Sequence, residues 1–190
     1  MPMAIAPQPA ALPVTVIFGG SFNPPHVGHA MVAAWLRWTQ GVSAVWFVPA
    51  FEHAFGKELA PWDRRLRATR ALAAMLNDGG DWAGVSDIEV DLPRPSYTIR
   101  TLDTLRSRNP DRRLRLVVGS DVWEQFGMWR DHERVIAEYS PIVVGRAGYP
   151  EIPGVPSFPD VSSSVIRERL ARGESVSGLV PGSVLRQWIG

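Results

Sequence analysis

The chain has 190 residues, with 20 Lys+Arg against 19 Asp+Glu and a formal net charge of +1. This balance excludes a strongly basic nucleic-acid binder working through bulk charge, and an acidic disordered tail. With no cysteine, disulfides, thiolate-held zinc, iron–sulfur clusters and thiol nucleophiles are excluded as well.

Taken in chain order, residues 1–13 hold Pro2, Pro7, Pro9 and Pro13 and no basic residue. They lack the charged start and unbroken apolar stretch of a signal peptide, and no later segment is apolar for long enough to span a bilayer. They read as a flexible lead to a cytoplasmic protein, with one domain over 14–190. Val14–Phe18 is a short β-branched run that reads as a buried strand. Gly28 to Gln40 places Met31, Val32, Trp35, Leu36 and Trp38 at helical spacing. Val42–Val48 is a second strand, stopped by Pro49. Trp62 to Asp78 is a helix with Arg64, Arg65, Arg67 and Arg70 on a basic face, ended by Gly79 and Gly80. Trp82 to Val90 reads as a third strand, Thr98 to Asn109 as a helix and Leu114–Val118 as a fourth strand. Asp121 to Phe126 and Asp131 to Glu138 are short helices, Ile142–Val144 a fifth strand, and Val165 to Ala171 and Ser183 to Ile189 two closing helices.

Strands alternating with helices imply an α/β, Rossmann-like, doubly wound parallel sheet of about five to six strands, with helices on both faces. Ligands bind such sheets outside the carboxyl ends of the strands, where the strand order reverses. The polar segments that follow strands are therefore the places to look: Gly19–His29, Pro49–Lys57 and Gly119–Asp121. A fourth, Ser162–Arg167, opens a late helix.

The first of these carries the strongest signal. Gly19, Gly20 and Ser21 let the backbone pass close to a ligand, and Gly28 opens a helix whose free N–H groups and dipole suit an anion. His26 and His29, three apart, can each donate a hydrogen bond to a phosphate oxygen. The loop is neither a P-loop nor a dinucleotide fingerprint. A lone histidine here would read as a helix cap; the combination reads as a site. The stretch Gly19 to His29, G-G-S-F-N-P-P-H-V-G-H, resembles the H-x-G-H motif of the nucleotidyltransferase superfamily, related to the HIGH motif of class I aminoacyl-tRNA synthetases. It is similar to the opening of bacterial nicotinate-nucleotide adenylyltransferases, in which this loop and both histidines hold the ATP phosphates.

Other segments agree with that resemblance. Val161–Arg167, V-S-S-S-V-I-R, resembles the family's I-S-S-T-x-I-R signature, departing at Val161 and Ser164. Hydroxyls of Ser163 and Ser164 at a helix start, with Arg167 one turn in, make a second phosphate clamp; a plain serine cap is the alternative. Ser96, Tyr97 and Thr98, with Thr101 and Leu102, look like the family's S-Y-T-x-x-T-L segment beside the pyridine nucleotide. Ser96 or Thr98 is equally a good N-cap and Tyr97 a packing residue. Gly119 and Asp121 resemble a G-x-D at the nucleotide's ribose, where a carboxylate accepts sugar hydroxyls; Asp121 also suits a helix start. Trp129 matches a tryptophan that stacks on the pyridine, a role indistinguishable in sequence from core packing. Arg146 lies where the family has R-P-G, with Ala147 in place of proline. Lys57, the only lysine in the chain, follows V-P as in the family, although the P-P-H that normally precedes it is missing. His53 replaces the missing histidine or caps the loop.

The resemblance covers Val14 to Ile189. It implies adenylyl transfer from ATP to nicotinate mononucleotide, giving deamido-NAD and pyrophosphate in NAD biosynthesis. Expected catalytic residues are His26, His29, Lys57 and Arg167. Gly19, Gly20, Ser21, Gly28, Gly119, Asp121, Ser163 and Ser164 are expected at ATP, and Ser96, Tyr97, Thr98, Trp129 and Arg146 at the pyridine nucleotide. No protein-held metal is expected; Mg²⁺ would be carried mainly by the ATP phosphates. The partners implied are the two nucleotides, with no nucleic acid and no membrane. Eight tryptophans suffice equally for a core or for the interface of a homo-oligomer. Alternatives are the same chemistry on nicotinamide mononucleotide or phosphopantetheine, and a catalytically silent nucleotide-binding regulatory domain.

Overall fold

The computed structural model describes residues 11–52, 56 and 58–190. Its strands are β1 (Val14–Gly20), β2 (Ala44–Pro49), β3 (Ala83–Val85), β4 (Arg113–Gly119), β5 (Ile142–Arg146) and β6 (Ser157–Phe158). The helices are α1 (Val27–Thr39), α2 (Trp62–Leu76), α3 (Thr98–Arg108), α4 (Ser120–Trp123), α5 (His132–Tyr139), α6 (Ser163–Ala171) and α7 (Gly182–Ile189). The strands form one parallel sheet in the order β3-β2-β1-β4-β5-β6. The chain winds outward from β1 to β3, returns to the middle, and winds outward the other way from β4. The reversal falls between β1 and β4, and the crevice it opens at their carboxyl ends lies beside Gly19, Gly20 and Gly119.

Side chains alternate across each strand, so successive residues feed two cores. Val16, Val45, Phe47 and Val117 pack with Val32, Leu36, Leu72, Ile166, Val184 and Trp188 on the face covered by α1, α2, α6 and α7. Ile17, Val48, Leu114, Leu116 and Val118 pack with Ile99, Leu102, Leu105, Val135 and Tyr139 on the face covered by α3 and α5. This two-sided burial explains why the strand sequences read as near-continuous apolar runs.

Two expectations are corrected. The third strand does not run from Trp82 to Val90: it spans Ala83–Val85, and Ile88–Asp91 form a 3₁₀ turn. Its ladder ends when the Ser86 N–H donates to the Phe47 carbonyl; the chain then turns into the 3₁₀ segment while β2 runs on to Pro49. The helix expected from Asp121 to Phe126 begins at Ser120 and stops at Trp123, and Phe126–Met128 turn separately. A sixth strand, with no period to betray it, adds two residues opposite Gly145 and Arg146.

Candidate active site

A cavity of about 580 Å³ occupies the crevice. Of the expected site residues, Gly19, Gly20, Ser21, His26, Gly28 and His29 line it from the first loop. Ser163 and Ser164 line it from the start of α6, Gly119 and Asp121 from the end of β4, and Arg146 from the end of β5. Ser96, Tyr97, Thr98 and Trp129 line the opposite side. Arg167 does not line it. Lys57 and His53 lie outside the described residues.

The first loop is held from several directions. His26 caps α1 in extended conformation, and its backbone N–H donates to His29 Nδ1 at 3.1 Å. That bond fixes the tautomer: with Nδ1 accepting, the proton of a neutral His29 sits on Nε2. The two rings lie 3.8 Å apart, centroid to centroid. Burial drives the His26 pKa down to about 4, with Arg146 pushing the same way and Asp160 opposing. Burial, then His26 and Arg146, hold His29 well below the usual histidine range. Both rings are therefore neutral at pH 7, and His26 Nδ1 is buried without a partner. That nitrogen is turned to the first turn of α1, where a Cβ on Gly28 would meet it at 3.0 Å.

The serines and arginine of α6 take a division of labour that spacing does not reveal. Ser162 is the N-cap, its hydroxyl accepting from the Ser164 N–H at 3.2 Å. Ser163 Oγ donates to the Pro24 carbonyl at 2.8 Å, so this hydroxyl's proton is committed to the first loop. Arg167 donates to the Asn23 carbonyl at 2.6 Å and to Ser164 Oγ at 3.3 Å. It braces the loop from behind the cavity wall and adds positive charge there.

At the other margin of the crevice, Arg146 donates to Asp121 at 2.6 Å and to Asp160 at 2.8 Å, and its backbone N–H donates to Ser120 Oγ. Arg146, expected at the pyridine nucleotide, lines the cavity against Asp121 and close enough to the histidines to influence both. Asp121 and Arg146 thus act as one unit at the β4–β5 end.

On the opposite side, Trp129 packs on Phe126 with centroids 5.0 Å apart. The Arg130 guanidinium lies 4.9 Å above Tyr97. Glu89 also lines the cavity here, a residue that no local motif or period singles out. Its Oε2 accepts from the Phe51 N–H at 3.0 Å and its Oε1 from Thr101 Oγ at 3.1 Å. Burial raises its pKa, while the Phe51 N–H, Thr101 and Arg65 favour the charged form. The Ser96 hydroxyl stands by Glu89 and helps hold its charge without making a well-formed hydrogen bond.

As a donor set, the cavity wall is suited to anions. It offers loop N–H groups, two imidazoles, serine hydroxyls and a guanidinium, and among the described residues no three His, Asp or Glu side chains cluster as metal ligands would. No helix among those residues is long and apolar enough to cross a membrane.

Comparison with known proteins agrees with this architecture. The profile of the Cytidylyltransferase-like family matches residues 17–169. A probable nicotinate-nucleotide adenylyltransferase of Anaeromyxobacter sp. (strain K) is 48% identical over 170 residues, covering 90% of each chain. One from Myxococcus xanthus (strain DK1622) is 39% identical, covering 89% of this chain and 88% of that one. Among solved structures, Plasmodium falciparum nicotinic acid mononucleotide adenylyltransferase complexed with NaAD shares the fold with a TM-score of 0.73 at 17% identity, over 93% of this chain and 95% of that one. The chain belongs to the Cytidylyltransferase-like family, among relatives named nicotinate-nucleotide adenylyltransferase.

Proposed function

We propose that this protein transfers the adenylyl group of ATP to nicotinate mononucleotide, releasing pyrophosphate and deamido-NAD. One observation carries the reading: a single cavity, in a chain 48% identical to a protein of that name, has an anion-suited wall at one side and an aromatic, hydroxyl-rich wall at the other. In the reaction a phosphate oxygen of the mononucleotide attacks the α-phosphorus of ATP in line. A new P–O bond forms, the bond to the β-phosphate oxygen breaks, and pyrophosphate leaves with its electron pair. The nucleophile is already an anion at pH 7, so no general base is needed. Catalysis is then positioning and charge stabilisation.

Each group has a role suited to its chemistry. His29, with Nδ1 occupied, donates through Nε2 to a phosphate oxygen, and His26 does so beside it. The amides of Gly19 to Ser21 and the start of α6 add neutral donors, and Arg167 adds positive charge through the loop it braces. Lys57 supplies a further cation. Asp121, held by Arg146, accepts ribose hydroxyls, while Ser96, Tyr97, Thr98 and Trp129 hold the pyridine. Mg²⁺ fits this donor set as a passenger on the triphosphate, where it would neutralise phosphate charge; the protein's contribution is the ring of donors around the oxygens.

Pyrophosphate release from ATP and Mg²⁺, run in parallel with nicotinate and nicotinamide mononucleotides, tests the proposal. Turnover with the nicotinate substrate in clear preference is expected. Equal turnover with both would make the enzyme dual-specific, and silence with both would overturn the reading.

A further inference from the structure

The largest fully buried side chain in the described molecule is a cation, Arg65 on α2, 1% exposed. Its donors all end on backbone carbonyls: Nε on Ala60 at 3.0 Å, Nη1 on Ser21 at 3.0 Å and on Ala50 at 2.7 Å, and Nη2 on Phe51 at 3.2 Å. Ser21 belongs to the loop after β1; Ala50 and Phe51 belong to the loop after β2. Both Ser21 and Ala50 line the cavity, and Arg65 does not. The guanidinium therefore sits behind the wall and draws the carbonyls of wall residues toward itself. The peptide joining Ala50 to Phe51 is gripped from both sides, its carbonyl by Arg65 Nη1 and its N–H by Glu89. Trp62 covers the guanidinium at 5.3 Å.

This arrangement solves a problem that any backbone-built anion site faces. Each peptide offers an N–H that attracts phosphate and a carbonyl that repels it. If a loop carbonyl rotates into the cavity, its dipole opposes the charge the site must stabilise. We propose that Arg65 is a positioning residue for the transfer reaction: it clamps the two substrate loops together and holds their carbonyls away from the anionic nucleotides. The clamp rests on the adenylyl-transfer reading of this cavity. The guanidinium fork suits the task, because five donors in one plane reach four carbonyls and a lysine ammonium reaches at most three. Its charge also lies on the side of the loops away from solvent, where it favours phosphate through the peptide dipoles it orients.

The test compares Arg65→Met and Arg65→Lys with Leu72→Val, a core change two turns along the same helix that weakens α2 packing without touching the clamp. Thermal melting, kcat and the KM for each substrate are measured on the full chain with ATP and Mg²⁺. Arg65→Met should lose about 100-fold in kcat, the scale of a misplaced reacting group. Arg65→Lys should recover about tenfold of that loss, since it restores the charge and some of the bonds. Leu72→Val, at a comparable drop in melting temperature, should keep kcat within about twofold. Equal kcat in Arg65→Met and Leu72→Val at matched stability would overturn the clamp. If neither Arg65 variant folds, Glu89→Leu releases the Ala50–Phe51 peptide from its other side; unchanged kcat and KM there would overturn it. A folded wild-type protein that releases no pyrophosphate with either mononucleotide would sink the underlying reading instead, a result separate from any variant's.

Discussion

At the scale of single residues, the two histidines set the pH behaviour of the protein. His26 titrates near 4 in the native state against an unfolded value near 6.5. Between those values the unfolded chain binds the proton and the folded chain resists it, so stability falls as pH drops from about 6.5 to 4. The full loss for this group is about 3 kcal/mol. His26→Gln removes that proton, so the urea midpoint of the variant should fall less steeply with acid than the wild type's over this window. Parallel slopes would show that His26 is not buried neutral. A second consequence concerns Gly28. A Cβ there would meet the His26 ring at 3.0 Å, so Gly28→Ala must displace the ring. Alanine is favoured over glycine in a helix by about 1 kcal/mol, which offsets part of the strain. The variant should keep its melting temperature within a few degrees while kcat/KM drops by about tenfold or more. Normal kcat/KM would mean the ring position is unimportant.

At the scale of elements, α3 and α5 are joined by a polar network whose members differ in worth. The Tyr139 hydroxyl, on a ring 1% exposed, donates to Asp103 at 2.6 Å. Arg134 pairs with the same carboxylate and with Glu138, but both arginine and glutamate are largely in solvent. A sheltered hydrogen bond to a charged group contributes about 1.5–3 kcal/mol, whereas an exposed ion pair is screened by water and contributes far less. Tyr139→Phe should therefore destabilise more than Arg134→Ala in denaturant melts, and the reverse order would refute this ranking. Because the start of α3, with its N-cap Tyr97 and Thr98, lines the cavity, loosening its far end is expected to reach the cavity through the helix.

At the scale of the whole molecule, the two cores share every central strand. Val16 points into one and Ile17 into the other, so neither core can open while the other stays closed. We expect residues 14–190 to unfold as a single cooperative domain. Leu36→Ala and Leu102→Ala, one in each core, should each lower the same transition by about 2–5 kcal/mol. Two separated transitions in calorimetry would contradict the single-domain reading.

Much of this was legible in the order of residues. Apolar runs that end at glycines, followed by amphipathic stretches, determine a parallel sheet with helices on both faces, because backbone pairing and side-chain period allow little else. Gly19 to His29 declared itself through local chemistry, with glycines, two histidines and a helix start in one short loop. The tertiary structure alone decided what each polar group does with its hydrogen bonds. Ser163 turns its proton to Pro24, Arg167 braces the loop from behind, and Arg146 pairs with Asp121 and Asp160. In sequence, Arg65 was one of four arginines on a basic helix face and Glu89 an acid in a presumed strand. Only the folded chain shows that one is buried on the carbonyls of two loops and that the other meets it across the Ala50–Phe51 peptide. The physical reason is range. Periodicity and turn chemistry are set by neighbours in the chain, whereas the partners of a buried charge are fixed by segments that meet only after the sheet has formed.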